Sequence, residues 1–328
     1  MTPAEGLSPS KALSPAQALS PSQLSSLAEA LSPDRAVSPG EGMSPAETLS
    51  PDQALSPGEA LSPGEALSPG EALSPAQAFA RPRPRLRWLD ATTTLEQFAL
   101  VTFDVDPVAL AAALPRGLEP EVRTLDDGRQ RGFVSAVSFR DVDFQFALAP
   151  WLRVSFFQTN YRAYVRGPDG RQAVHFFGTT LDSPLVGMPR YLWGMPWHPG
   201  RSSIESSWSD AGVCDAYRHR CTGRWGAADV SLVGSGEPLG RMDGFADAED
   251  AAHILTHPLD GWFAHPDGRL GRYAVWHPRM TLQLGTASLA RYAVFEDLGL
   301  VAVGAEPHSV LLTRSIEFDV FLPPRLHR

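Results

Sequence analysis

The chain has 328 residues and a formal net charge of −9, from 28 basic and 37 acidic side chains. Nine of those acids and two of the bases fall in residues 1–78, so the other 250 residues carry only −2 and make no electrostatic case for nucleic acid. That remainder is large enough for one substantial core. No run of about 18 apolar residues is present to span a membrane.

Residues 1–78 are a hexapeptide repeat of the form L-S-P-x-x-A, with three successive L-S-P-G-E-A copies at 55–72 and a last L-S-P-A-Q-A at 73–78. Each S-P-x-E combines a serine cap, a proline at the first helical position and a capping-box acid. The next proline arrives six residues later and removes a backbone donor, so no helix outlives a turn. Proline also excludes a hexapeptide β-helix. The expectation is a flexible, acidic, disordered tail with too few large apolar groups to offset the entropy of ordering it. A Ser-Pro phosphorylation array or partner-docking tail is the competing reading. Residues 79–87 follow as an Arg/Pro linker stiffened by Pro82 and Pro84, with four arginines available to pair with the acidic tail.

Residues 88–328 read as the folded domain. Strands are expected at 97–105, 132–139, 154–165 and 172–180, the last two joined by a tight turn at Gly167-Pro-Asp-Gly170. Helices are expected at 108–114, after the start signal Asp106-Pro107, and from Pro184 to Gly194. Further strands at 202–208, 214–222 and 229–233 precede a helix at 247–256. Late strands fall at 273–276, 281–284 and 310–321, the last with Ile316, Phe318 and Val320 on one face and Glu317 and Asp319 on the other. Many strands with hairpin turns and a few short helices imply an antiparallel-dominated α+β class. Cys214 and Cys221, spaced x6, fit neither a zinc pattern nor a disulfide framework and are expected as ordinary thiols.

Several separated motifs then agree in order. Asp106-Pro-x4-Leu-x3-Leu114-Pro-x-Gly-Leu118-Glu-Pro, Asn160-Tyr-Arg-Ala-Tyr-Val-Arg-Gly-Pro-Asp-Gly170, His175-Phe-Phe177, Gly194-Met-Pro-Trp-His198 and His308-Ser-Val with Phe318-Asp-Val320 resemble the DUF2071, or YqjF-like, family. The resemblance covers about residues 88–324 and implies an acetoacetate decarboxylase-like fold: a curved, barrel-like β-sheet around a small-molecule cavity, with helices outside. Acetoacetate decarboxylases form a Schiff base through a lysine in a G-x-P-Lys-Lys motif. The matching stretch here puts Trp197 and His198 at both lysine positions, and the chain's one lysine is Lys11 in the tail. Amine catalysis by the folded domain is therefore excluded, and no cofactor is implied.

The richest stretch for ligand chemistry is 187–205. His198 is the candidate general acid or base, with Glu205 its nearest carboxylate in sequence. The alternative is a turn histidine bonded to backbone. Trp197 is a candidate pocket wall or ordinary core. Arg190 and Tyr191 lie on the expected helix, and an arginine fork suits a carboxylate. Asn160 and Arg162 share one strand face, and a buried Arg162 needs a partner or a ligand. His253 and His257, four apart on a helix, could hold zinc, but no H-E-x-x-H pattern accompanies them and no metal site is assigned. The expected protein is a binder of a small molecule, oxo acids included. The competing reading is an acid–base enzyme acting on an enolisable carbonyl compound through His198. A scaffold whose repeat tail does the work is a third. The N-terminus lacks a signal pattern, so a cytoplasmic protein is expected; a homo-oligomer stays open.

Overall fold

The computed structural model describes residues 74–327, and the repeat units before residue 74 lie outside the described residues. Fourteen strands form one sheet. Seven of them close into a barrel in the order β1 (Ala91–Val105), β4 (Gln130–Phe146), β5 (Val154–Arg166), β6 (Gln172–Leu181), β11 (Asp260–Ala264), β12 (Leu270–Trp276) and β14 (Ser309–His327). The seam is an antiparallel pairing of β1 with β14, running from Ala91 opposite Val320 to Thr102 opposite Ser309. The upstream half of β14 also pairs with β13 (Gln283–Tyr292), from which β10 (Ala228–Pro238), β9 (Cys214–Thr222) and β8 (Arg201–Trp208) continue the sheet. All these pairings are antiparallel except β6 with β11. The short β7 (Trp197–Pro199) also runs parallel to β6. Two-residue strands β2 (Glu119–Pro120) and β3 (Arg123–Thr124) lie on β5 and β4.

The continuation strands give the barrel wall a second layer, so the wall strands are buried on both faces. In β4 the residues from Gly132 to Phe139 are buried in unbroken succession. Inside the barrel, Leu95, Phe98, Val137, Phe139, Val174 and Phe176 meet Ile254 and Leu255 of helix α4 (Ala248–Thr256). On the outer face, Val101, Phe103, Ala136 and Tyr161 meet Tyr217, Val230, Leu232 and Tyr292 of the second layer. Two bulges adjust which side chains face inward. One sits at Gln97, φ +54°, and the other follows Asp141, with Asp143 at φ +54°. Cys214 and Cys221 are buried free thiols of the second layer.

Other helices are short: α1 (Pro75–Phe79), α2 (Pro107–Ala113), α3 (Gly187–Trp193) and α5 (Ala293–Asp297). Asp106 caps α2 by accepting from the backbone N–H groups of Val108 and Ala109. The expected single helix 184–194 is a 3-10 turn, Pro184–Val186, followed by α3, which ends on Gly194 in the left-handed region. Order also extends into the last repeat unit. Ser74 and Gln77 form a complete capping box on α1, Ala78 is buried, and Phe79 packs against His257 with ring centroids 4.8 Å apart. The linker arginines do not all wait on the acidic tail. Arg83 makes a two-pronged pair with the buried Asp319, both bonds 2.7 Å, and Arg87 pairs with Asp90 at 3.0 Å. No helix among the described residues is long and apolar enough to cross a membrane.

The core holds four buried histidines: His175, His219, His257 and His277. Burial pushes each of them down to about 4. The unfolded chain binds these protons near 6.5 and the folded chain does not. The histidine contribution to stability is therefore complete above pH 6.5 and is lost as the pH drops towards 4. Urea titrations at a series of pH values are expected to show midpoints declining through that window, with proton uptake on unfolding. A second expectation concerns Gly271, whose cross-strand partner Phe263 lays its buried ring over the place a side chain would take. Gly271→Ala is expected to cost about 1–3 kcal/mol by overpacking, read as a lower denaturation midpoint.

Candidate functional site

The barrel encloses a cavity of about 100 Å3. Its wall is mostly aromatic and aliphatic, with Phe139, Phe144, Phe156, Phe318, Tyr273 and Trp197 among the larger side chains. Met188, Pro189 and Trp193 of α3 line it where the 184–195 segment passes over the barrel. Such a site is shaped for a small apolar body carrying a few polar groups.

Those polar groups sit mainly on two neighbouring strands. Phe156, Gln158, Asn160 and Arg162 alternate along β5 and all face the cavity. Asp141 faces it from β4, two residues beyond Phe139. Gln158 Nε2 donates to Asn160 Oδ1 at 2.8 Å, and Thr179 Oγ1 donates to the same oxygen at 2.9 Å. This arrangement fixes the amide of Asn160 with its NH2 group turned away from both donors, available to a ligand.

Arg162 is only partly buried by its neighbours. Its Nη2 donates to the Leu255 carbonyl at 2.7 Å, in the last turn of α4, where the helix carries partial negative charge. Tyr164 Oη donates to the same carbonyl at 3.0 Å. No carboxylate lies within 4.0 Å of Arg162 among the described residues, and its Nε has no partner there. A full positive charge thus faces an apolar cavity against half-charges alone.

His277 also lines the cavity, stacked on Phe318 with centroids 5.1 Å apart. Its Nδ1 lies 2.8 Å from the Pro278 carbonyl and Nε2 3.0 Å from that of Thr256. Desolvation keeps the ring neutral at pH 7, so it has one N–H for two carbonyls and nothing left for a ligand. Asp141 is 4 % exposed, and its Oδ2 has no hydrogen-bond partner among the described residues. The Thr93 hydroxyl beside it donates to the Val142 carbonyl at 3.2 Å. Burial pushes the Asp141 carboxyl up to about 8, so at pH 7 it is a neutral acid.

Of the residues singled out from sequence, Asn160, Arg162 and Trp197 line this cavity. His198, Glu205, Arg190 and Tyr191 do not, and each has a physical reason. Strand alternation in β7 turns Trp197 inward and His198 outward, where its ring stacks on Trp225 at 4.0 Å between centroids. Burial and the Arg190 charge push His198 down to about 4, too weak a base to carry a proton near neutrality. Glu205 stands on the exposed face of β8, opposite Arg218. Arg190 and Tyr191 lie on the solvent side of α3, with Tyr191 82 % exposed. Arg190 Nη1 does reach back to donate to the Trp197 carbonyl at 3.2 Å. His253 and His257 serve the docking of α1: both pack on Phe79, and His257 Nε2 lies 3.2 Å from the Ala78 carbonyl. No cluster of three or more metal-ligating side chains occurs among the described residues.

Sequence reading passed over Gln158, Asp141 and His277. Gln158 was available from the period-two face that gave Asn160 and Arg162. Asp141 was not, because the bulge that follows it breaks the alternation.

Solved structures share this architecture. The enduracididine biosynthesis enzyme MppR, in complex with the condensation product of pyruvate and imidazole 4-carboxaldehyde, is 17% identical with a TM-score of 0.51, covering 80% of this chain and 98% of its own. MppR complexed with pyruvate is 16% identical with a TM-score of 0.51, covering 77% and 94%. Acetoacetate decarboxylase from Legionella pneumophila is 14% identical with a TM-score of 0.47, covering 76% and 94%. At these identities the likeness is one of fold alone, a barrel shared with MppR. No curated protein sequence matches the chain. The family model DUF2071, described as an uncharacterized conserved protein, matches residues 92–317, and the chain belongs to that family.

Proposed function

We propose that the barrel cavity binds a small, largely apolar carboxylate, oxo acids included, without covalent attachment. The observation that carries this reading is Arg162: a guanidinium on an apolar cavity wall with no carboxylate partner among the described residues. A carboxylate would complete its hydrogen bonding in the two-pronged geometry the fork favours. The Asn160 amide can donate to a second oxygen, and Trp197 supplies a flat wall for the organic body. The MppR complexes, with pyruvate in one and a pyruvate condensation product in the other, support an oxo acid as one member of the class.

Binding rather than lysine chemistry follows from the residue inventory. The only lysine is Lys11, and Trp197 occupies the inward position of the stretch that resembles the lysine motif. The reading that made His198 a proton carrier has lost its support, since that ring faces away from the cavity.

The test is a thermal-shift and calorimetric comparison of matched carboxylates, amides and alcohols on the full chain. A carboxylate at 100 times its dissociation constant is expected to add about 2.7 kcal/mol of stability. Its neutral amide is expected to add much less. Arg162→Gln is expected to weaken carboxylate binding about 10- to 100-fold, the range for one charge-assisted contact. Equal binding of acid and amide, or an unaffected Arg162→Gln variant, would overturn the proposal.

A further inference from the structure

Asp141 has no role in holding a carboxylate, yet it is the most conspicuous polar group of the cavity. An acid would ordinarily sit at a surface or beside a cation. This one is 4 % exposed among Thr93, Phe144, Phe156 and the cavity itself, with Oδ2 unpartnered. Among the described residues, its neighbours on the paired strands are Thr93 and Leu95 of β1 and Phe156 of β5, and the cavity lining contributed by β14 (Phe318, Val320) and α3 (Met188, Trp193) adds no cation. After burial, the neighbouring Thr93 hydroxyl favours the ionised form, and the carboxylate of Asp182, just beyond β6, disfavours it further. What faces the cavity at neutral pH is a carboxylic acid whose Oδ2 has no hydrogen-bond partner among the described residues.

The register of β4 and β5 places this donor far from Arg162. Asp141 lies opposite Phe156, and Ser135 lies opposite Arg162, six residues away on both strands. At about 3.3 Å per residue that is roughly 20 Å between the two backbone positions, of which the Arg162 and Asp141 side chains and a hydrogen bond at each end can cover about half. A three-carbon oxo acid, about 3 Å between its end carbons at ~1.5 Å per bond, reaches one end only. A cavity of about 100 Å3 has room for roughly seven to ten waters, which is a chain of about that many heavy atoms.

We propose that the cavity is built for an elongated keto acid, its carboxylate on Arg162 and a remote carbonyl oxygen accepting from the Asp141 carboxyl. This rests on the Arg162 reading above and adds a second anchor and a length. Gln158 and Asn160, on the same inward face between the two ends, contact the intervening chain. The Asp141 end selects an oxygen that accepts and does not need to donate, which separates a ketone from a plain alkyl terminus of equal size.

The experiment is isothermal calorimetry on the full chain with two series of four to fourteen carbons: straight-chain alkanoates, and the same acids with a ketone at the next-to-last carbon. The wild type is expected to bind a keto acid of about ten carbons roughly five- to tenfold tighter than the matching alkanoate, with a smaller gain at shorter lengths. That gain is expected to fade as the pH rises through about 8, where Asp141 ionises and stops donating. Asp141→Leu is expected to bring the keto-to-alkanoate ratio to about one. Asp141→Asn, whose amide donates at every pH, is expected to keep a preference that no longer varies between pH 6 and 9. If alkanoates bind through Arg162, as loss in Arg162→Gln would show, but the ketone brings no gain at any length, the second anchor is refuted while the carboxylate site stands. If no carboxylate of any length binds, both are refuted. A preference that survives Asp141→Leu, or that changes with pH in Asp141→Asn as it does in the wild type, assigns the ketone to another group and overturns the proposal.

Discussion

Every inward position in this protein depends on the sidedness of three long strands. β1, β4 and β5 are covered on both faces, by the barrel interior on one and by the β8–β9–β10–β13 layer on the other. A strand in that position cannot slip by one residue, because a slip would exchange its two apolar faces and carry Arg162 out of the cavity. The bulges at Gln97 and after Asp141 are tolerated within this constraint and put to use. Each takes up an extra residue, so that Leu95 and Phe98, or Asp141 and Phe144, face the same way.

The two-sided cover also explains where polar chemistry can survive. The barrel interior below the cavity is filled by aromatic and aliphatic side chains and by α4. What remains open is a space whose polar members are few and individually placed: Arg162 steadied by a helix terminus, Asn160 steadied by Gln158 and Thr179, and Asp141 with Oδ2 unpartnered among the described residues. In such surroundings each uncompensated group is costly, and a ligand that satisfies it recovers that cost on binding.

Much of the fold was legible in the residues. The aromatic and β-branched run at 154–165 and its return at 172–180 appear as β5 and β6 with almost those limits, and the helix read at 247–256 appears as α4. The alternation of Ile316, Phe318 and Val320 in β14 points where it was expected to, with Phe318 and Val320 on the cavity. Other elements left weak traces. β11 is five residues long, too short a run to stand out, although the turn at Pro266-Asp-Gly268 joins it to β12. β13 extends well past 284 through the mostly small and polar residues 285–291, whose strand character comes from pairing with β10. The site was harder for one reason. Period two says that Trp197 and His198 face opposite ways but not which of them faces in; that is set by the pairing of β7 with β6. Glu205 and His198 are near in sequence, yet β8 belongs to the second layer and presents Glu205 to solvent.

The seam between β1 and β14 joins residues such as Ala91 and Val320 that are more than two hundred positions apart. A ribosome delivers β1 well before β14, so the barrel cannot close until β14 has been made. Until then β1 and β12 expose unpaired edges, the apolar lining of the cavity is open to water, and chain-entropy costs are borne before the distant contacts repay them. Closure is therefore a late event in the life of each molecule, and the nascent barrel is the form in which this protein is most prone to pair with the wrong strand.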